Sequence, residues 1–102
     1  MKVDLPQTAV AEFCERWRIA EMALFGSALR EDFNPASDID VLVTFAPGAD
    51  WSLLDHVRME SELAEVLGRP VDIVTRRGVE RSRNPVRRQE ILSSARSVYV
   101  AP

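Results

Sequence analysis

Sulfur, imidazole and long apolar runs are scarce in this chain, and each scarcity excludes something. There is one cysteine, Cys14, so no internal disulfide can form, which fits a reducing compartment. Its neighbours Val10, Phe13 and Trp17 make it a core residue, and the lone His56 is far off in sequence. A thiol nucleophile has nothing nearby to activate it. No run approaches the length of a membrane span and no charged-then-apolar leader opens the sequence, so no membrane association and a cytoplasmic location are expected. Aromatics make up 7% and the net charge is −3, with no evident basic groove of interleaved aromatic rings. Direct binding to nucleic acid is therefore not expected.

What is present is enough for one core. The hydrophobic share is 46% over 102 residues, which argues for a folded chain. That length reads as one domain, residues 1–102, with no room for a separate acceptor-binding domain. Charge is unevenly spread. Residues 1–75 carry 6 basic and 14 acidic side chains (−8), whereas residues 76–102 carry 7 and 2 (+5). The plainer reading is a solvated basic helix that complements an acidic body, the sharper one a surface for a polyanion or an acidic partner; the plainer one is favoured for most of these arginines, with one or two reaching a nucleotide.

The chemistry concentrates in two stretches. Leu24-Phe25-Gly26-Ser27-Ala28-Leu29-Arg30 ends an apolar run in Gly-Ser, and Ser37-Asp38-Ile39-Asp40-Val41-Leu42-Val43 opens a second run with two acids. A third acid, Asp72, lies inside Val71-Asp72-Ile73-Val74. Charges in such surroundings are costly unless paired or bound to a metal. In a strand, side chains i and i+2 share a face, so Asp38 and Asp40 point together. Their repulsion at about 4 Å is roughly 4 kcal/mol at an effective dielectric of 20. A divalent cation removes it, and hard oxygen ligands suit Mg²⁺. Gly26 lets backbone approach a phosphate, and Ser27 adds a hydroxyl and, at a helix start, N–H groups for an anion. Plainer accounts exist: Asp38 as a turn residue, Asp72 paired with an arginine, Arg30 in a surface ion pair.

Gly26-Ser27, ten residues, Asp38-x-Asp40 and the later Asp72 together resemble the nucleotidyltransferase superfamily of DNA polymerase β and the aminoglycoside nucleotidyltransferases. At this size the chain is most similar to the minimal nucleotidyltransferase (MNT) group, antitoxins of HEPN/MNT toxin–antitoxin pairs. The resemblance runs from Phe13 to Tyr99 and includes Gly68-Arg69-Pro70-Val71-Asp72-Ile73-Val74 and Asn84-Pro85-Val86-Arg87-Arg88-Gln89-Glu90-Ile91-Leu92.

The resemblance implies Asp38, Asp40 and Asp72 as catalytic and metal-binding residues for two Mg²⁺ ions. Ions in such schemes stand about 3.5–4 Å apart. Asp72 could instead be the general base. Gly26, Ser27 and Arg30 would hold the triphosphate of ATP. The implied acceptor is a tyrosine hydroxyl on a HEPN ribonuclease toxin, which the chain would also bind. Leu29 stands where relatives have a small residue and Glu31 where they have glycine. That keeps open an antitoxin that neutralises by complex formation alone. A small-molecule nucleotidyltransferase is the third reading, and homo- or hetero-oligomers are compatible with all three.

The expected fold is α/β (α+β). Val10, Phe13, Cys14 and Trp17 at i, i+3, i+4, i+7 predict a helix over 6–17 capped by Asp4. Strands are expected over 21–25, 38–45, 71–75 and 97–100, with a short helix over 27–32 ended by Asn34-Pro35. Ser52 and Asp55 predict a capped helix over 52–67, buried through Leu53, Val57, Leu63, Val66 and Leu67 and stopped by Gly68, with His56 on its surface. Residues 76–83 read as an arginine-rich loop, and Asn84-Pro85 starts a last helix with Ile91, Leu92 and Ala95 inward. If the Gly-Ser turn and the acids face one ligand, the first strand is antiparallel to the second and the third is parallel to it. The result is a small mixed sheet with helices on one face.

Overall fold

The computed structural model describes residues 5–26 and 38–102. The apolar spacing near the N-terminus forms α1 (Gln7–Arg16), which buries Val10, Phe13 and Cys14. Pro6 occupies its N-cap position without a side-chain cap, and the cap expected from Asp4 lies outside the described residues. The short helix expected over 27–32 and its stop at Asn34-Pro35 also lie outside them. Trp17 packs edge-to-face on Trp51 at 5.0 Å, and its Nε1–H donates to Glu62 at 3.1 Å. Trp17 packs against the core, as the spacing indicated, and Trp51 joins it there.

Four strands form one sheet: β1 (Ile19–Phe25), β2 (Ile39–Phe45), β3 (Val71–Thr75) and β4 (Arg96–Val100). Their order is β3-β2-β1-β4. β1 is antiparallel to β2, and β3 is parallel to β2, as the shared-ligand argument required. β4 adds antiparallel to the other side of β1. The long helix α2 (Leu53–Leu67) makes the β2-to-β3 connection. Its start is a capping box between Ser52 and Asp55, and Gly68, at φ +71°, closes it in the left-handed conformation.

Two layers of side chains follow from the strand alternation. Met22, Leu24, Ile39, Val41, Val43 and Ile73 pack under α1 and α2 with Phe13, Met59 and Leu63. This is the expected helical face. The other face carries Ala23, Phe25 and Leu42, partly covered by Val79 and Ile91. Those two come from α3 (Arg76–Glu80) and α4 (Pro85–Ser94), a second and smaller layer. Its signal was in the sequence: the β2 run is apolar at consecutive positions, the pattern of a strand covered on both sides.

Three local expectations need correction. Residues 76–80 are helical, not loop, because the Thr75 hydroxyl accepts the Gly78 N–H at 3.0 Å and caps the turn. On α2, Leu53 and Val57 are 82% and 54% exposed, while Met59 is fully buried. At 100° per residue, Val57 lies roughly 200° around the helix from Met59, so the two cannot share a face. His56 is half-buried and structural: its Nε2–H donates to the Ile73 carbonyl at 3.0 Å. Glu60, one turn on, accepts the Ile73 N–H at 2.8 Å. Together they satisfy the outer edge of β3, a strand edge otherwise open to pairing.

Candidate functional site

The pleat decides which acids meet. Asp40 on β2 and Asp72 on β3 are register partners, so they stand side by side on one face. Adjacent strands lie about 4.8 Å apart. Phe25 is the partner of Asp40 on the other side, which brings Gly26 to the same row. Two carboxylates at that spacing repel by roughly 3 kcal/mol at an effective dielectric of 20. Such a pair is disfavoured unless positive charge lies between or beside it.

Phe25, Gly26, Asp40 and Asp72 form one wall of a cavity of about 380 Å³. Gly26 has φ +70°, and a Cβ built on it would lie 2.5 Å from Asp40 Oδ2. Only glycine allows the carboxylate to lie this close over the backbone. Asp40 is half-buried and Asp72 exposed. Asp38 is exposed at the mouth of β2 and does not line the cavity. Ser27 and Arg30 lie outside the described residues.

Among the described residues, no group of three or more His, Cys, Asp or Glu side chains is gathered as a metal cage. The donors present still fit Mg²⁺. That ion usually takes one or two carboxylates and completes its shell with phosphates and water. Asp40 and Asp72 supply hard oxygens from neighbouring strands, beside a glycine that leaves room for a phosphate.

The opposite wall comes from α4: Arg87, Glu90, Ile91 and Ser94. The sequence reading named the helix but not this wall. The spacing i, i+3, i+4, i+7 marks a single helical face, a usable signal. What it could not reveal is that this face turns toward the acids. His56 and Cys14 take no part in the cavity; burial pushes the Cys14 thiol up to about 12.

Paired acids on adjacent strands beside a glycine turn form an arrangement that suits a cation with a phosphate ligand. Residues 7–98 match the model of the nucleotidyltransferase domain family. The chain belongs to that family. The candidate protein adenylyltransferase MJ0435 of Methanocaldococcus jannaschii is 40% identical over 77 residues, 76% of each chain. A solved structure described as a candidate minimal nucleotidyltransferase is 37% identical, with TM-score 0.66 over 88% of this chain and 86% of its own. A toxin–antitoxin crystal structure with AMP-PNP reaches TM-score 0.72 at 21% identity, over 95% of this chain and 75% of its own. A chain from a solved complex, described as a tri-AMPylated HEPN toxin of Shewanella oneidensis with MNT antitoxin, aligns with TM-score 0.62 at 21% identity, over 93% of this chain and 70% of its own. The fold is that of the minimal nucleotidyltransferases, and the chain is a nucleotidyltransferase by family. Among the described residues no helix is long and apolar enough to cross a membrane.

Proposed function

We propose that this chain, acting over residues 1–102 as one domain, is a Mg²⁺-dependent protein adenylyltransferase and antitoxin. Its donor is ATP and its acceptor a tyrosine hydroxyl on a HEPN ribonuclease toxin that it also binds, in the cytoplasm. The observation that carries this is the row Gly26–Asp40–Asp72 on three adjacent strand ends, facing one cavity. The similarity to proteins named for adenylyl transfer, and to antitoxins solved with their toxins, supports the choice of acceptor.

In the reaction the hydroxyl oxygen bonds to the α-phosphorus, the bond to the bridging oxygen breaks, and pyrophosphate leaves. Asp40 and Asp72 would hold the metal, with Asp38 joining from the mouth of β2. When bound, Mg²⁺ supplies neutralisation of phosphate charge and a lowered pKa for the attacking hydroxyl. Gly26, Ser27 and Arg30 would seat the phosphates. Asp72, exposed at the cavity wall, can alternatively take the hydroxyl proton.

Incubation with the HEPN partner, ATP and Mg²⁺ should add the mass of AMP to the toxin. Asp40→Asn and Asp72→Asn should abolish it. Equal labelling by these variants would defeat the proposal. The place of Asp38 outside the cavity lining favours a second reading, an antitoxin that works by binding alone. In that case Asp40→Asn would protect cells as well as wild type does.

A further inference from the structure

Three acidic side chains, Asp40, Asp72 and Glu90, line the cavity, and Arg87 is its one cation among the described residues. Among the described residues, the Arg87 guanidinium has no hydrogen bond or ion pair that ties it elsewhere, not even with Glu90 one turn away. Its neighbour Arg88 differs: the Arg88 Nη1–H donates to the Ser82 carbonyl at 3.4 Å.

The position of Arg87 is also unfavourable for the helix. It lies in the first turn of α4, where its own N–H is taken by the Asn84 side chain at 3.1 Å, and no acid lies in that turn. A cation there adds to the positive end of the helix dipole instead of offsetting it. The positive potential so produced faces the glycine–aspartate row across the cavity. It suits an anion arriving there, and arginine matches phosphate oxygens in a two-pronged fashion.

We propose that Arg87 is a phosphate-binding residue for the nucleotide, gripping the triphosphate from the α4 side while Gly26 and the aspartates hold it from the sheet. This rests on the nucleotidyltransferase reading of the site. A magnesium–triphosphate retains a net charge of about −2, and the acidic walls repel its uncoordinated oxygens. Arg87 supplies the opposing charge from the wall that the sequence motif does not include. It also borders a second cleft of about 280 Å³ between α3 and α4, sharing Arg87 and Ile91 with the first. Arg87 therefore borders both spaces.

The test is calorimetric titration of the full chain with AMP-PNP and, separately, with inorganic tripolyphosphate, each with Mg²⁺. Arg87→Gln should weaken both by roughly 10- to 100-fold, the loss expected for a charged hydrogen-bonding group. Arg87→Lys should recover part of it. Arg83→Gln, a surface change of the same charge, should bind as wild type does. Circular dichroism melts establish that each variant is folded. Unchanged binding of both ligands by Arg87→Gln would overturn the inference and leave the site reading intact. So would loss of AMP-PNP with tripolyphosphate retained, since the contact would then be to the nucleoside. If the wild-type chain binds neither ligand, the site reading itself fails and takes this inference with it.

Discussion

Replacing Gly26 by alanine tests the closest contact in the site. Two costs arise, and they can be separated. The first is backbone strain: at φ +70° an L side chain costs about 1–2 kcal/mol. For a domain of this size that lowers Tm by about 4–8 °C per kcal/mol. The second is steric. The new methyl would lie 2.5 Å from Asp40 Oδ2, so the carboxylate must retreat by about 0.9 Å to reach ordinary contact at 3.4 Å. A shift near 1 Å in a reacting constellation can cost roughly 100-fold in rate. Gly48→Ala is the control, because Gly48 has φ +85° but nothing within 4 Å of its Cβ. Both variants should lose comparable stability in thermal melts. Only Gly26→Ala should lose nucleotide binding and AMP transfer, measured by calorimetry and by intact mass of the toxin. Equal activity of the two variants would show that the Asp40 carboxylate does not act from where it lies.

Other consequences can be measured independently. Met59→Ala should destabilise by about 2–5 kcal/mol and Leu53→Ala by less than about 0.5, in denaturant titrations, since one is fully buried and the other 82% exposed. Equal losses would return Leu53 to the core. Cys14 should resist alkylation at pH 8 in the folded chain and react only on unfolding, because burial pushes its thiol up to about 12. Asp55 is held below its ordinary value of 3.8 by the Ser52 backbone N–H first and the Ser52 hydroxyl second. Its stabilisation of α2 is therefore fully present above that ordinary value and is lost as pH falls through the lowered pKa. Asp55→Asn should flatten this acid limb in pH-dependent melts, and an unchanged limb would refute the capping assignment. His56→Ala should cost about 1 kcal/mol, the worth of the hydrogen bond to the Ile73 carbonyl, without changing nucleotide affinity.

Much of the fold was written locally. Ser52 and Asp55 announce the start of α2 and Gly68 its end, because capping needs particular side chains within a few residues of each other. The pairing directions of β1, β2 and β3 also followed from the sequence, through the requirement that the Gly26-Ser27 turn, Asp38 at the start of the second strand and Asp72 face one ligand. The buried face of α2 did not. Leu53, Leu54, Val57, Met59 and Leu63 are all apolar, and composition cannot choose among stripes when several are available. Packing against the sheet chose Met59 and Leu63.

The motif residues, Gly26-Ser27, Asp38, Asp40 and Asp72, were legible in the sequence because each residue type stands out at its own position: freedom at positive φ, or a hard oxygen in an apolar strand; of these the fold brings Gly26, Asp40 and Asp72 to one cavity. Their neighbours were decided by tertiary structure. Arg87 and Glu90 lie far along the chain from Gly26, and nothing local says that α4 folds back over Phe25 and Leu42. The burial of Ile91 against that face is what turns the polar side of α4 toward the acids. A wall built from distant segments exists only once the chain has closed on itself.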